Sequence, residues 1–188
     1  TGEAIERMFP SFLNERWWET ATPLYRRAVC DRAGPWSTLW LEEDWEYDCR
    51  IAALGGVLAW HPQPVSEHRD HSGERLSRGE YLQPDRIRQR AQAQSLIHAH
   101  AVRAGIDWRI PEMRTFARSL FLLARRCGRA GLAGEARSLL ALARQAAGPH
   151  AAMDMRCYGA FAGLVGWSIA GRLAEAYDRW RSRGRSHA

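Results

Sequence analysis

The sequence predicts a mostly helical chain: an α/β unit over residues 1–82 followed by an all-α helical extension over residues 83–188. Three observations carry this. A helical stretch runs into Gly55-Gly56 and then into the short apolar run Val57-Leu58-Ala59-Trp60, closed by His61-Pro62, which is the punctuation of a helix followed by a strand. Composition changes near residue 82, before which most of the Trp and Pro residues fall. Beyond it come long Ala/Leu/Arg segments whose apolar residues recur at helical spacing.

Taken in order, Thr20 to Tyr25 is a short extended candidate, and Arg26 to Ala33 is a helix stopped by Gly34-Pro35. A second helix spans Glu43 to Leu54. Val57 to Trp60 reads as a strand, and Val65 to His68 as another. The extension reads as four helices, Asp85 to Ala104, Pro111 to Cys127, Ala133 to Ala147 and Ala152 to Arg181, with Pro111 and Pro149 placed where a first turn tolerates proline. Leu120, Leu123, Ala124 and Cys127 form one apolar stripe and Ala136, Leu139, Leu140 and Ala143 another, so these two helices are expected to pack as a hairpin. Residues 124–140 resemble one tetratricopeptide-type helical pair, but a solenoid needs about three such units. A local hairpin is the expectation.

With 188 residues, 46% of them hydrophobic, the chain can bury one or two genuine cores, which excludes a disordered polymer. All 27 basic residues are arginine, and the net charge is +6. Such a surface suits phosphate groups, an anionic membrane surface or nucleic acid, and is equally compatible with plain solvation. No recognised nucleic-acid-binding motif accompanies the charge, so no nucleic acid is expected. Cys30, Cys49, Cys127 and Cys157 are widely spaced, without a C-x-x-C pair, and fit reduced thiols in a cytoplasm. The longest nearly uncharged stretch, Cys157 to Gly171, is 15 residues, short of the roughly 20 that span a bilayer. No basic segment leads into an apolar one at the N-terminus. A cytoplasmic location follows, with peripheral membrane contact as an option.

The segment from Pro23 to Ser77 carries the chemistry. It contains Leu24-Tyr25-Arg26-Arg27, a helix ending in Gly34-Pro35-Trp36, the acidic run Glu42-Glu43-Asp44-Trp45 opening a helix that includes Arg50, and finally Arg69-Asp70-His71-Ser72. In order and spacing this resembles the second half of family 2 glycosyltransferases of the GT-A fold, bacterial enzymes of polysaccharide biosynthesis. The resemblance implies that residues 1–82 form the C-terminal part of a GT-A-like, Rossmann-type domain. It also implies inverting transfer of a sugar from a nucleotide-sugar donor to a hydroxyl of a carbohydrate or lipid-linked acceptor. Asp44 matches the catalytic base of that family, with Glu43 as the neighbouring acid.

The chemistry agrees with such an assignment. Inverting transfer needs an ionised carboxylate to take the acceptor's proton, and a helix N-terminus with free N–H groups favours the anionic form. A plain helix cap is the structural alternative for Asp44. Glu46 and Arg50 are four apart and can pair on the helix surface, while Trp45, Cys49, Ala52 and Ala53 share an inward face. The resemblance makes His71 a candidate metal ligand for a divalent Mg or Mn ion. Arg69 and Arg75 are candidate diphosphate contacts, because guanidinium matches phosphate oxygens. Trp18 and Trp36 are candidate sugar-stacking residues, core packing being the other use of a large aromatic.

No Asp-x-Asp and no glycine-rich phosphate turn precede this segment. The donor-binding half of the family is therefore expected in a longer parent protein. The competing expectation is a non-catalytic helical scaffold or interaction protein carrying a degenerate transferase segment.

Overall fold

The computed structural model describes residues 6–61, 63, 67, 83–151 and 153–185. Among them are seven α-helices and two single turns of 3-10 helix, and no strand longer than an isolated bridge. The helices are α1 (Arg27–Ala33), α2 (Glu43–Ala52), α3 (Pro84–Arg103), α4 (Pro111–Arg129), α5 (Ala133–Ala147), α6 (Met153–Val165) and α7 (Trp167–Arg185).

The expected α/β unit is thus corrected to a helical one. Val57 forms only a single antiparallel bridge, to Arg7, with Leu58 N–H donating to the Glu6 carbonyl at 3.0 Å. A ladder needs consecutive pairs, and this one stops after its first. Thr20 to Tyr25 is not extended into a sheet either: it turns at Thr22, whose N–H meets the Glu19 carbonyl. Its side chains bond to α2 instead of its backbone bonding to a strand. The proposed strand at Val65 to His68 lies largely outside the described residues.

The helices themselves follow the sequence closely. Pro84 and Pro111 occupy first turns, where a missing N–H costs nothing, and Asp85 and Glu112 add acid where the helix dipole favours it. The expected single helix from Ala152 to Arg181 is instead two, because Gly166 adopts φ +89° between α6 and α7. That left-handed conformation is open to glycine and ends a right-handed helix.

The core sits chiefly between α4 and α5, where Leu120, Ala124, Cys127, Ala136, Leu139 and Ala143 are buried as the two stripes require. It is continuous with a second group of buried side chains, Met8, Phe12, Leu13, Cys49 and Ile51, beneath α2. α3 links the two through Ile87, Ala91, Ile97 and Ala101. Residues on both sides of position 82 therefore share one apolar interior. All four cysteines are free.

Candidate acid-bearing site on α2

α2 begins with an unusual residue. Glu42, just ahead of it, has φ +60°, the only described non-glycine residue in the left-handed region. Such a conformation costs on the order of 1–3 kcal/mol and persists where neighbours enforce it. Here the neighbours are on α3: Gln94 donates to Glu42 Oε2 at 2.6 Å, and Arg90 Nε lies 2.9 Å from Oε1. Burial pushes the Glu42 carboxyl above its ordinary value, and Gln94 and Arg90 pull against that. The acidic turn that follows is in this way pinned to a neighbouring helix.

From that start, acids recur at every second position, Glu42, Asp44, Glu46 and Asp48; Glu42 and Glu46 have partners of their own, whereas Asp44 and Asp48 share Arg16. Asp44 lies in the first turn, its side chain 23% exposed. Its Oδ1 accepts the Trp45 N–H at 2.7 Å, and its Oδ2 accepts Arg16 Nη1 at 2.7 Å and the Thr20 hydroxyl. Arg16 also reaches one turn further, donating Nε to Asp48 Oδ2 at 2.7 Å. Asp48 is buried, and burial pushes its carboxyl up while Tyr25, Arg16 and Trp18 pull it down. Trp18 donates its indole N–H to Asp48 Oδ2 at 3.0 Å, and Tyr25 donates its hydroxyl to Oδ1. Burial and the neighbouring Asp48 charge push the Tyr25 phenol upward.

On the other face, Glu46 is fully buried. Arg50 grips it with two bonds, Nε to Oε1 at 3.0 Å and Nη2 to Oε2 at 2.6 Å, and His100 Nε2 lies 2.7 Å from Oε1. Burial alone would raise this carboxyl, but the hydrogen bonds and charges of His100 and Arg50 prevail and hold it at about 2. The Glu46–Arg50 pair is thus as spaced in the sequence but interior, which corrects its expected surface position. Arg50 spends its remaining donor, Nη1, on the carbonyls of Ala33 at 3.2 Å and Pro35 at 2.6 Å, tying α2 to the end of α1.

The candidate residues are therefore distributed as follows. Asp44 and Trp18 belong to one network, joined through Arg16 and Asp48. Trp36 is 48% exposed and stacks on Tyr47, centroids 4.9 Å apart and planes 15° apart. Tyr47 in turn meets Tyr25 edge-on at 6.2 Å, so Trp36 is linked to the network through aromatic contacts. Glu43 occupies the first turn of α2 beside Asp44. Arg69, His71 and Arg75 lie outside the described residues, as does His68. Trp45 and Cys49 face inward as expected, the Trp45 indole donating to the Phe12 carbonyl at 2.8 Å.

Sequence reasoning does not single out Arg16, Thr20 or Asp48. Asp44 and Asp48 one turn apart on a helix are a signal for a shared cation, but nothing in the spacing points 28 residues back to Arg16.

Among the described residues no group of three or more His, Cys, Asp or Glu side chains could hold a metal ion. Asp44 and Asp48 are bridged by the Arg16 guanidinium. A cavity of about 220 Å³ lies elsewhere, lined by Met8, Phe9, Pro10, Ala52, Ile106 and Ile110 among others, and does not include Asp44. No described helix is long and apolar enough to cross a membrane.

No protein-family model matches the chain, and no curated protein and no solved structure is significantly similar to it.

Proposed function

We propose that this chain supplies the acceptor side and the general base of an inverting glycosyltransferase resembling family 2, acting within a longer parent protein that binds the nucleotide sugar. The observation that supports this reading is the state of Asp44: a partly exposed carboxylate in the first turn of α2, fixed in orientation by Arg16, accepting a hydrogen bond from the Thr20 hydroxyl. An acceptor sugar hydroxyl has the same chemistry as the Thr20 hydroxyl and can replace it.

In the reaction, Asp44 takes the proton of the acceptor O–H as that oxygen forms its bond to the anomeric carbon. The bond from that carbon to the nucleoside diphosphate breaks, and the leaving group departs with the electron pair. Arg16 holds the carboxylate in place, and Trp36, with one face on Tyr47 and about half its surface open, offers a ring for stacking a sugar. Trp18 fixes Asp48, the second anchor of Arg16, and so positions the base indirectly. Arg69, Arg75 and His71 remain proposals for the diphosphate side, with Mg or Mn as the associated ion in the intact enzyme.

The second reading, a non-catalytic helical scaffold, is favoured by the Arg16–Asp44 pair itself, since a carboxylate neutralised by arginine also serves as a structural clamp. Asp44→Asn in the parent protein separates the two. Catalysis predicts that donor binding and thermal stability are nearly retained while transfer falls by at least about 100-fold, the usual contribution of a general base. Transfer at the unaltered rate removes Asp44 as base and leaves the scaffold.

A further inference from the structure

α7 docks on the protein with its small and acidic side and leaves its large apolar side uncovered. Ala170 and Gly171 are buried against α4, and the Arg125 guanidinium reaches the Ala174 carbonyl at 2.8 Å. Both acids of this helix are engaged there as well: Asp178 pairs with Arg125 at 2.6 Å, and Glu175 pairs with Arg129. Ile169, Leu173, Tyr177 and Trp180 are meanwhile 53%, 52%, 55% and 72% exposed. At about 100° per residue these four fall within an arc of roughly 80°, a single stripe facing away from α4. Tyr177 and Trp180 lie side by side, centroids 6.1 Å apart. Just before the Gly166 break, Leu164 is 87% exposed.

A surface helix ordinarily buries its apolar stripe and shows its charges. Here the acids are consumed by α4, so the charge left flanking the stripe is cationic: Arg172 and Arg181 are exposed, and the sequence continues with Arg183 and Arg185.

We propose that the outer face of α7 is a binding surface for an anionic lipid bilayer, lying in the plane of the interface with Ile169, Leu173, Tyr177 and Trp180 inserted and the arginines against headgroup phosphates. The charge complementarity selects this occupant. Two copies of the same face would bring cationic flanks together, whereas anionic headgroups meet both the arginines and the need of the apolar stripe for hydrocarbon. Trp and Tyr suit such a boundary, having an apolar body and a polar edge. The inference does not depend on the transferase reading.

Sedimentation of the 188-residue chain with phosphatidylserine–phosphatidylcholine vesicles tests it. Binding is expected to these vesicles and to weaken with salt. Arg172→Gln and Arg181→Gln should each lower partitioning about fivefold on them, following the usual contribution of one cation at an anionic surface. Leu173→Gln/Trp180→Gln should abolish binding without changing helicity by circular dichroism, since both side chains are exposed. Three outcomes overturn the proposal: no binding to the anionic vesicles, binding unaffected by Leu173→Gln/Trp180→Gln, or concentration-dependent self-association that this double variant removes in a chain that ignores lipid.

Discussion

Arg16 and Asp48 form the buried anchor of the loop that precedes α1: the guanidinium Nε lies 2.7 Å from Asp48 Oδ2, with the two side chains only 13% and 2% exposed. Removing the cation would leave Asp48 with the Trp18 and Tyr25 donors but without a counter-charge. Stranding a buried charge is costly, typically 3–5 kcal/mol, and the partial exposure of Arg16 places the expected cost of Arg16→Ala at the lower end, about 3 kcal/mol. Burial already raises the Asp48 carboxyl, and loss of Arg16 raises it further. The deficit should therefore be largest near neutrality and shrink as pH falls and Asp48 takes up a proton. Urea denaturation at neutral and mildly acidic pH measures this, and an equal deficit at both would show that the charge of Asp48 is not the cause.

Glu46 provides the opposite acid signature. Its carboxyl is held at about 2, below the ordinary 4.5, so its contribution is present above about pH 4.5 and is lost as pH falls toward 2. A displacement of that size corresponds to roughly 3 kcal/mol. Asp48 and Glu42, both raised by burial, act in the reverse sense, so the isolated effect is the difference between the protein and its Glu46→Gln variant. That difference should be greatest near pH 6 and close to zero near pH 2. Thermal melts across this range decide it; a constant difference would mean that the substituted amide simply packs badly.

The contrast between α2 and the hairpin explains what can be read from the sequence. The stripes of α4 and α5 obey a single period, and each apolar residue needs only an apolar neighbour, so Leu120 and Leu139 fall to the core without knowledge of the partner. The same local logic pairs Glu46 with Arg50. It cannot show that Glu46 is interior, because that depends on His100, 54 residues away. Nor can it show that Thr20 to Tyr25, with its β-compatible residues, spends its side chains on Asp44 and Asp48. Val57 to Trp60 has strand-forming residues but finds only the bridge to Arg7, and propensity without a partner strand makes no sheet.

The hairpin core gives a direct stability test. Leu120 is fully buried and Leu139 nearly so, within the contact between α4 and α5. Leu→Ala at either position removes methyl groups and leaves a cavity, with an expected loss of about 2–5 kcal/mol. Leu164→Ala, at an exposed site, should change stability by less than about 0.5 kcal/mol. Chemical denaturation of the three variants compares them. A Leu120→Ala loss no larger than that of Leu164→Ala would contradict the packing of α4 against α5.

The docking of α7 on α4 rests on two missing side chains, Gly128 beneath the Trp167 carbonyl and Gly171 further along α7. A Cβ at Gly171 would stand 2.8 Å from the Arg125 carbonyl oxygen and nearer still to the Arg129 amide nitrogen. Both obstacles are α4 backbone, which cannot rotate aside as a side chain would. Gly171→Ala must then push α7 outward, stretching the ties from Arg125 to Asp178 and from Arg129 to Glu175. Overpacking of this kind costs about 1–3 kcal/mol, and the cost should appear locally, as faster proteolysis and amide exchange in α7 with α4 and α5 still protected. Gly163 in α6 is the control, because nothing lies within 4 Å of a Cβ built there. Gly163→Ala should gain on the order of 0.5–1 kcal/mol from helix propensity alone. If the two substitutions shifted stability in the same direction, the close approach of α7 to α4 at Gly171 would not be what holds the C-terminal helix in place.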